Sequence, residues 1–343
     1  HTRSCIVSRG LGDVYKRQLS GQLYILIALI TGELLAVMGV MGIVVDLIKE
    51  GIRLMGWGSA DAFRITVILV IGLYALLWFG KYKIFEKILT FFVILMGLCF
   101  ILVFFLVKPD FGAIARGMIP SIPQEKGALQ LIAAMAGTTC SAAVFIVRST
   151  VVVEKGWTIN NLKDEKKDAF VSSTMMLLLS GIIMAVSAGT LFVMDLSLDT
   201  TVEMIQLFEP LGGKVAAFIL ILGIVGAGLS TVFPIILIAP WLISDIAGKP
   251  RDIRSPMFRI LGGIGLLFGF GLIFIEKTPP AMMIFSQAFQ AMILPAVAIP
   301  ILFLIQNDNL MGENRAKLKL RFGIIAVIIF SLITTYFAII DLF

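Results

Sequence analysis

The chain reads as an all-α, polytopic membrane protein, and three observations predict it. Mean hydropathy is +1.02. Hydrophobic residues make up 59% of the 343 and charged residues only 15%, against about 25% charged in soluble domains. Nine apolar segments, roughly 22–48, 61–80, 85–107, 127–150, 169–194, 213–243, 256–275, 280–305 and 321–341, match the span needed to cross a bilayer, which is about 20 residues. Hydrocarbon offers backbone groups no water, so each segment must pair its own N–H and C=O groups and is predicted to be helical. The connections are too short for a soluble domain.

Residues 1–18 differ from everything after them. They are polar and basic, do not begin with methionine, and end in Asp13-Val-Tyr-Lys-Arg-Gln18, which one reading frame of a transposase sequencing adapter encodes. We expect 1–18 to be an assembly scar, to be set aside from fold reasoning, and the membrane domain to be 19–343. The 22–48 segment carries Glu33 near its middle. A carboxylate at that depth costs a few kcal/mol on insertion scales, so such residues are paired or line a path. In 85–107, Phe91, Phe92, Phe100, Phe104 and Phe105 are expected to face lipid or neighbouring helices. Residues 108–126 are rich in Pro and Gly and read as a loop.

The 127–150 segment is the most informative. Met135-Ala-Gly-Thr-Thr-Cys-Ser-Ala-Ala-Val-Phe-Ile-Val-Arg148 has a small, hydroxyl-bearing centre at Gly137, Thr138, Thr139 and Ser141, with the Cys140 thiol among them. A space-filling helix gains little from three hydroxyls where lipid offers no partner. A helix that breaks there to present carbonyl and hydroxyl oxygens to an ion gains a binding site. Half of a cation site is therefore expected here. The bland alternative is a tight helix crossing built on small residues.

Residues 154–168 are charged, and Lys163-Asp-Glu-Lys-Lys-Asp168 reads as a solvated helix start. Pro234 and Pro240 are expected to bend the long 213–243 segment or end its buried part, and Pro295 and Pro300 to do the same in 280–305, since proline removes a backbone donor and crowds the preceding turn. Glu276-Lys-Thr-Pro-Pro280 reads as a turn, and methionine pairs such as Met175-Met176 and Met282-Met283 as packing. Cys5, Cys99 and Cys140 lack pairable or zinc-type spacing, and the sole histidine is His1.

The excess of basic residues is not a nucleic-acid footprint. If the first span runs from inside to outside, the inside loops hold Lys81, Lys83, Lys87, Lys155, Lys163, Lys166, Lys167, Lys249, Arg251, Arg254, Arg315, Lys317, Lys319 and Arg321. The outside loops hold Lys49, Arg53, Arg64, Lys108, Arg116, Lys126, Lys214 and Lys277. The bias places the first set in the cytoplasm.

Lys108-Pro-Asp-Phe-Gly…Pro120-Ser-Ile-Pro, followed by Gly137-Thr-Thr-Cys-Ser-Ala-Ala, resembles the loop and broken sixth helix of the Nramp divalent metal transporters. Glu209-Pro-Leu-Gly-Gly with Ala227-Gly-Leu-Ser-Thr is similar to that family's eighth helix. Ser286-Gln-Ala-Phe-Gln…Leu294-Pro and Asn309-Leu-Met-Gly-Glu313 are similar to its tenth helix and the loop after it. The resemblance covers 19–343 and implies a LeuT-like inverted-repeat fold. On that register the nine spans are family helices three to eleven, and the first two, including the Asp-Pro-Gly-Asn metal-binding break, are expected to be missing. The piece alone is then expected not to transport.

The resemblance implies a secondary transporter that carries a divalent metal into the cytoplasm by alternating access, multi-pass in a bacterial inner (plasma) membrane, with no cofactor beyond its cargo. The family defaults are Mn²⁺ and Fe²⁺. Where the family has Met-Pro-His at the break, this chain has Ser141-Ala142-Ala143. That loses sulfur and imidazole, and oxygen ligands suit harder ions such as Mg²⁺, as in Nramp-related magnesium transporters. The expected metal ligands are the Thr138 carbonyl, the Ser141 hydroxyl and the Gln287 side chain, with Cys140 restoring softness if it turns inward. Gln287 matches the family's Ser-Gln motif; a packing hydrogen bond is its alternative role. Glu33 matches an acidic position of the family's proton route, whose second acid is Ala36 here and whose sixth-helix histidine is Arg148. Arg259 matches an arginine of the cytoplasmic proton exit, or snorkels as an anchor. A buried Glu33–Arg148 pair and weak proton coupling are expected. The alternatives are a carrier of a small organic solute or a non-transporting membrane scaffold. An enzyme is not expected, because no cluster of catalytic residue types occurs near one interface.

Overall fold

The computed structural model describes residues 19–79, 82–117, 127–190, 199–205, 213–249, 251–275, 277–312 and 315–342, with 119 and 121. Residues 1–18, with His1 and Cys5, lie outside them, as do Glu209-Pro-Leu-Gly, Glu276, Glu313 and most of Pro120-Ser-Ile-Pro. The helices are α1 (Leu19–Leu54), α2 (Ala62–Phe79), α3 (Tyr82–Val107), α4 (Phe111–Gly117), α5 (Ala128–Thr139), α6 (Ala142–Glu154), α7 (Leu162–Gly189), α8 (Gly213–Ile246), α9 (Pro256–Leu267), α10 (Gly271–Phe274), α11 (Pro279–Leu304), α12 (Asp308–Met311) and α13 (Leu318–Leu342). Among the described residues, nine apolar helical stretches are long enough to span a bilayer, and they answer one for one to the nine expected segments.

The differences lie at the ends, and each has a local cause. α1 runs past the expected boundary to Leu54, where Arg53 donates to both oxygens of Glu50, at 2.7 and 2.6 Å, and holds the last turn by a spacing of three. The loop after α3 contains the short α4, which Asp110 starts by accepting the Gly112 N–H at 2.7 Å. The charged stretch before the fifth span forms the first turns of α7, as expected.

Neither α8 nor α11 ends at its prolines. α8 runs through Pro234 and Pro240, and burial continues past them to Trp241 and Ser244. α11 runs through Pro295 and Pro300, with Val297, Ala298 and Leu304 still buried. The expectation that these prolines end the buried parts fails because a neighbouring helix can supply the donor that proline lacks. Pro295 gives no N–H to Ala291, four residues back; Thr335 of α13 donates to that carbonyl instead, at 3.3 Å. Thr335→Val should therefore lower stability by about 0.6–1.7 kcal/mol, the range of interhelical hydrogen bonds in membranes. Thermal unfolding in detergent checks this, with Thr334→Val unsuitable as a control because Thr334 also back-bonds within α13.

α11 forms the centre, packed on α1, α5 and α13. One core joins Val37, Val40, Met41 and Val44 of α1 to Leu73 and Leu77 of α2, Val232, Phe233 and Ile236 of α8, and Phe258 and Leu266 of α9. A second joins Ala28 and Leu29 of α1 to Ala142 of α6 and to Ile293 and Val297 of α11. Small residues set these distances, as in membrane bundles generally. A Cβ on Gly39 would sit 3.0 Å from the Met283 backbone, so α1 and α11 touch main chain to main chain. The outer helices expose what a soluble protein would hide: Phe91, Phe105, Leu177 and Phe274 are all exposed, the pattern of a lipid-facing surface. Phe100, in contrast, is buried against α7 and α8.

Candidate functional site

The fourth span is two helices. α5 ends at Thr139, Cys140 leaves helical geometry (φ −113°, ψ 39°), Ser141 is not helical, and α6 begins at Ala142. Cys140 closes α5 by donating its N–H to Ala136 O at 2.8 Å. Among the described residues no backbone N–H donates to the carbonyls of Gly137, Thr138 or Thr139. The last carbonyls of a helix are orphaned and carry the negative end of its dipole, which favours a cation. Ser141 caps the other half, its Oγ accepting the Ala143 N–H at 3.1 Å.

Two of the hydroxyls that drew attention in the sequence have local partners. Thr138 and Thr139 both donate to Met135 O, at 2.9 Å each. Hydroxyls of this kind satisfy themselves by back-bonding within a membrane helix, so their presence is not evidence for an ion; the open carbonyls are. Cys140 is half-buried at the bend.

Ser141 is buried and donates to Gln290 Oε1 of α11 at 3.1 Å. Gln290 Nε2 donates to Glu33 Oε1 of α1 at 2.6 Å. Three helices thus meet in one hydrogen-bonded chain, Ser141–Gln290–Glu33. Gln287, one turn earlier on α11, is also buried, and its carbonyl is where α5 touches α11: a Cβ on Gly137 would lie 2.0 Å from Gln287 O. The structure therefore brings Ser141, Gln287, Gln290 and Glu33 together around the break. Among the described residues no group of three His, Cys, Asp or Glu side chains is placed to hold a metal, so carbonyls, a hydroxyl and amides are what this site offers.

Arg148 and Arg259 lie elsewhere. Arg148 does not pair with Glu33; it pairs with Glu165 at 2.8 Å and Asp168 at 2.7 Å, and Lys155 approaches Asp168 at 3.5 Å. The reason is distance along the helix. Arg148 is seven residues beyond Ser141, about 10 Å at 1.5 Å per residue, which carries it to the middle of α6, where the charged first turns of α7 meet it. An amide, not a cation, partners Glu33. Arg259 sits 4.0 Å from the Trp78 ring centroid and donates to Trp78 O at 3.3 Å, a stacking contact at the end of α2.

Sequence reasoning placed Gln290 on the same helix as Gln287 but chose only the latter for a role at the site. The available signal was spacing: residues three apart share a helix face. A separate cavity of about 490 Å³ opens at the far end of α1, lined by Asp46, Lys49, Glu50, Arg53 and Val202. It is more than a dozen residues, about 20 Å of helix, from Glu33.

The fold is similar to those of two variants of a manganese transporter from Eremococcus coleocola, each with TM-score 0.64 and 14% identity, over 94% of this chain and 71% of theirs. The sequence is 25% identical over 273 residues to the divalent metal cation transporter MntH of Nostoc sp. (strain PCC 7120), covering 72% of this chain. The chain spans 59% of the length of that curated relative. The family model described as natural resistance-associated macrophage protein-like matches residues 6–341. With the broken span, nine membrane-spanning stretches among the described residues and a LeuT-like arrangement in place, the chain is a multi-pass integral membrane protein that belongs to the Nramp family.

Proposed function

We propose that this chain is the greater part of a secondary transporter that moves a divalent metal cation across the plasma membrane by alternating access, with the ion held at the break between α5 and α6. The observation that carries this reading is the interrupted span itself: open carbonyls at Gly137, Thr138 and Thr139 beside the capped hydroxyl of Ser141. A positive ion that sheds its water there would satisfy these oxygens, as at the broken helices of transporters. The Thr138 carbonyl, the Ser141 hydroxyl and the Gln287 amide are the proposed ligands, with Cys140 adjacent. Membership of the Nramp family and its likeness to a divalent metal cation transporter and a manganese transporter support Mn²⁺ as substrate. The oxygen-rich donor set, which lacks thioether and imidazole at the break, extends the range toward Mg²⁺. With Glu33 the one acid and no imidazole among the described residues at the break, proton coupling is weak.

Uptake by the full-length protein in proteoliposomes tests this. Mn²⁺ should enter and Mg²⁺ should compete, while the lumen acidifies by far less than one proton per ion. Ser141→Ala should reduce Mn²⁺ uptake at least about tenfold, the loss typical when a metal site loses one of its supports. Absence of divalent-metal uptake by the wild-type protein sinks the reading, and uptake of an amine or carboxylate instead points to an organic-solute carrier.

A further inference from the structure

We infer that Gln290 is a positioning residue that sets the ion preference of this site, by bridging the Glu33 carboxylate and the Ser141 hydroxyl so that the serine presents an oxygen lone pair to the break. The inference rests on the transport reading above.

With Glu33 ionised, the bridge has one sense. An ionised carboxylate only accepts, so the Gln290 amide must turn its NH₂ toward Glu33, which it meets at 2.6 Å. Its Oε1 then faces Ser141, whose hydroxyl donates across 3.1 Å. A serine hydroxyl has one proton and two lone pairs. The proton goes to Gln290, one lone pair takes the Ala143 N–H, and one lone pair remains. Without Gln290 the hydroxyl proton would be free to rotate into the break, where it would repel a cation. The chain is also polar in one direction: a carboxylate drawing on the amide N–H makes the amide oxygen a stronger acceptor, and that in turn makes the serine oxygen more negative. Glu33 therefore acts on the ion through Gln290 and Ser141 without touching it, and the result is a harder oxygen ligand.

The surroundings favour this over an incidental packing bond. Gln290 is 2% exposed, Glu33 6% and Ser141 8%, so these groups are largely shielded from solvent. A buried glutamine among Ile293, Leu294 and Ala291 would be costly if its amide did nothing.

The test uses the full-length protein in proteoliposomes, with Mn²⁺, Mg²⁺ and Cd²⁺ as probes. Gln290→Met keeps the length and removes the amide; Gln290→Asn keeps the amide and cannot span both partners. Both should raise KM for Mn²⁺ about ten- to a hundredfold, the loss seen when a group supporting a metal ligand is removed, with kcat little changed. Both should raise the ratio of Cd²⁺ to Mg²⁺ transport, because a less negative oxygen discriminates less against a soft ion. Ser141→Ala combined with Gln290→Met should be no worse than Ser141→Ala alone. A purely structural role predicts equal loss for every ion and additive losses in the double variant, and either result overturns the inference. Should neither Gln290 variant fold, Ser141→Ala and Glu33→Gln, which act on the two ends of the bridge, carry the same test: their KM effects should be non-additive, and independent effects overturn it. Failure of the wild-type protein to take up any divalent ion would instead remove the transport reading on which the inference rests.

Discussion

Replacing Gly137 with alanine should leave almost no folded protein. The alanine Cβ would stand 2.0 Å from Gln287 O, 2.9 Å from its carbonyl carbon and 3.1 Å from the Ala291 nitrogen. All three are backbone atoms of α11, so no side chain can rotate away, and relief requires separating α5 from α11. Those helices meet at the centre of the fold, where α11 also holds α1 and α13. Overpacking a well-formed core costs about 1–3 kcal/mol when side chains can adjust, and here they cannot, so the loss should be about 3 kcal/mol or more. Gly181 of α7 is the matched control. Nothing lies within 4 Å of a Cβ built there, and alanine in a helix interior should be neutral or stabilise by up to about 1 kcal/mol. Detergent-solubilised yield and thermal unfolding read both. A Gly137→Ala protein with wild-type Tm would mean that the two halves of this crossing are not in backbone contact.

The contrast between these glycines bears on what a sequence can disclose. Nine spans were legible because bilayer thickness and hydrophobicity dictate them residue by residue, and the interruption at Cys140–Ser141 was legible because small and hydroxyl residues cluster there in an otherwise apolar run. What those residues do was harder to read. The Thr138 and Thr139 hydroxyls draw attention in a string of letters, yet both serve Met135 O, while the expected role of Thr138 lay with its carbonyl. The partner of a buried charge was read wrongly for a related reason. Glu33 and Arg148 are opposite charges in membrane segments, but a pairing depends on height along two helices, and Arg148 finds Glu165 and Asp168 in the first turns of α7. Gln290 was hidden because its role exists only between elements: it is 257 residues from Glu33 and 149 from Ser141. The prolines of α11 make the same point, since only the fold places Thr335 against Ala291 O.

Glu33→Gln should separate stability from transport. A carboxylate 6% exposed inside a membrane helix is expensive, by about 2.5–3.5 kcal/mol for a charged group at the helix centre on insertion scales, and its recorded side-chain partner is a neutral amide. Glutamine keeps an oxygen to accept the Gln290 N–H and removes the charge. The variant should be as stable as the wild type or up to about 2 kcal/mol more so, while Mn²⁺ uptake falls about tenfold or more as the charge behind Ser141 disappears. Glu33→Leu removes the acceptor as well and leaves the Gln290 NH₂ buried and unpaired, a cost of about 1–3 kcal/mol that offsets the gain from losing the charge. The order of stability should therefore be Gln above Leu, and both should transport poorly. Thermal unfolding alongside uptake by full-length protein decides it: full uptake by Glu33→Gln would show that the ion does not feel this carboxylate, and a marked loss of stability would show that the charge is compensated by something other than the bridge to Gln290.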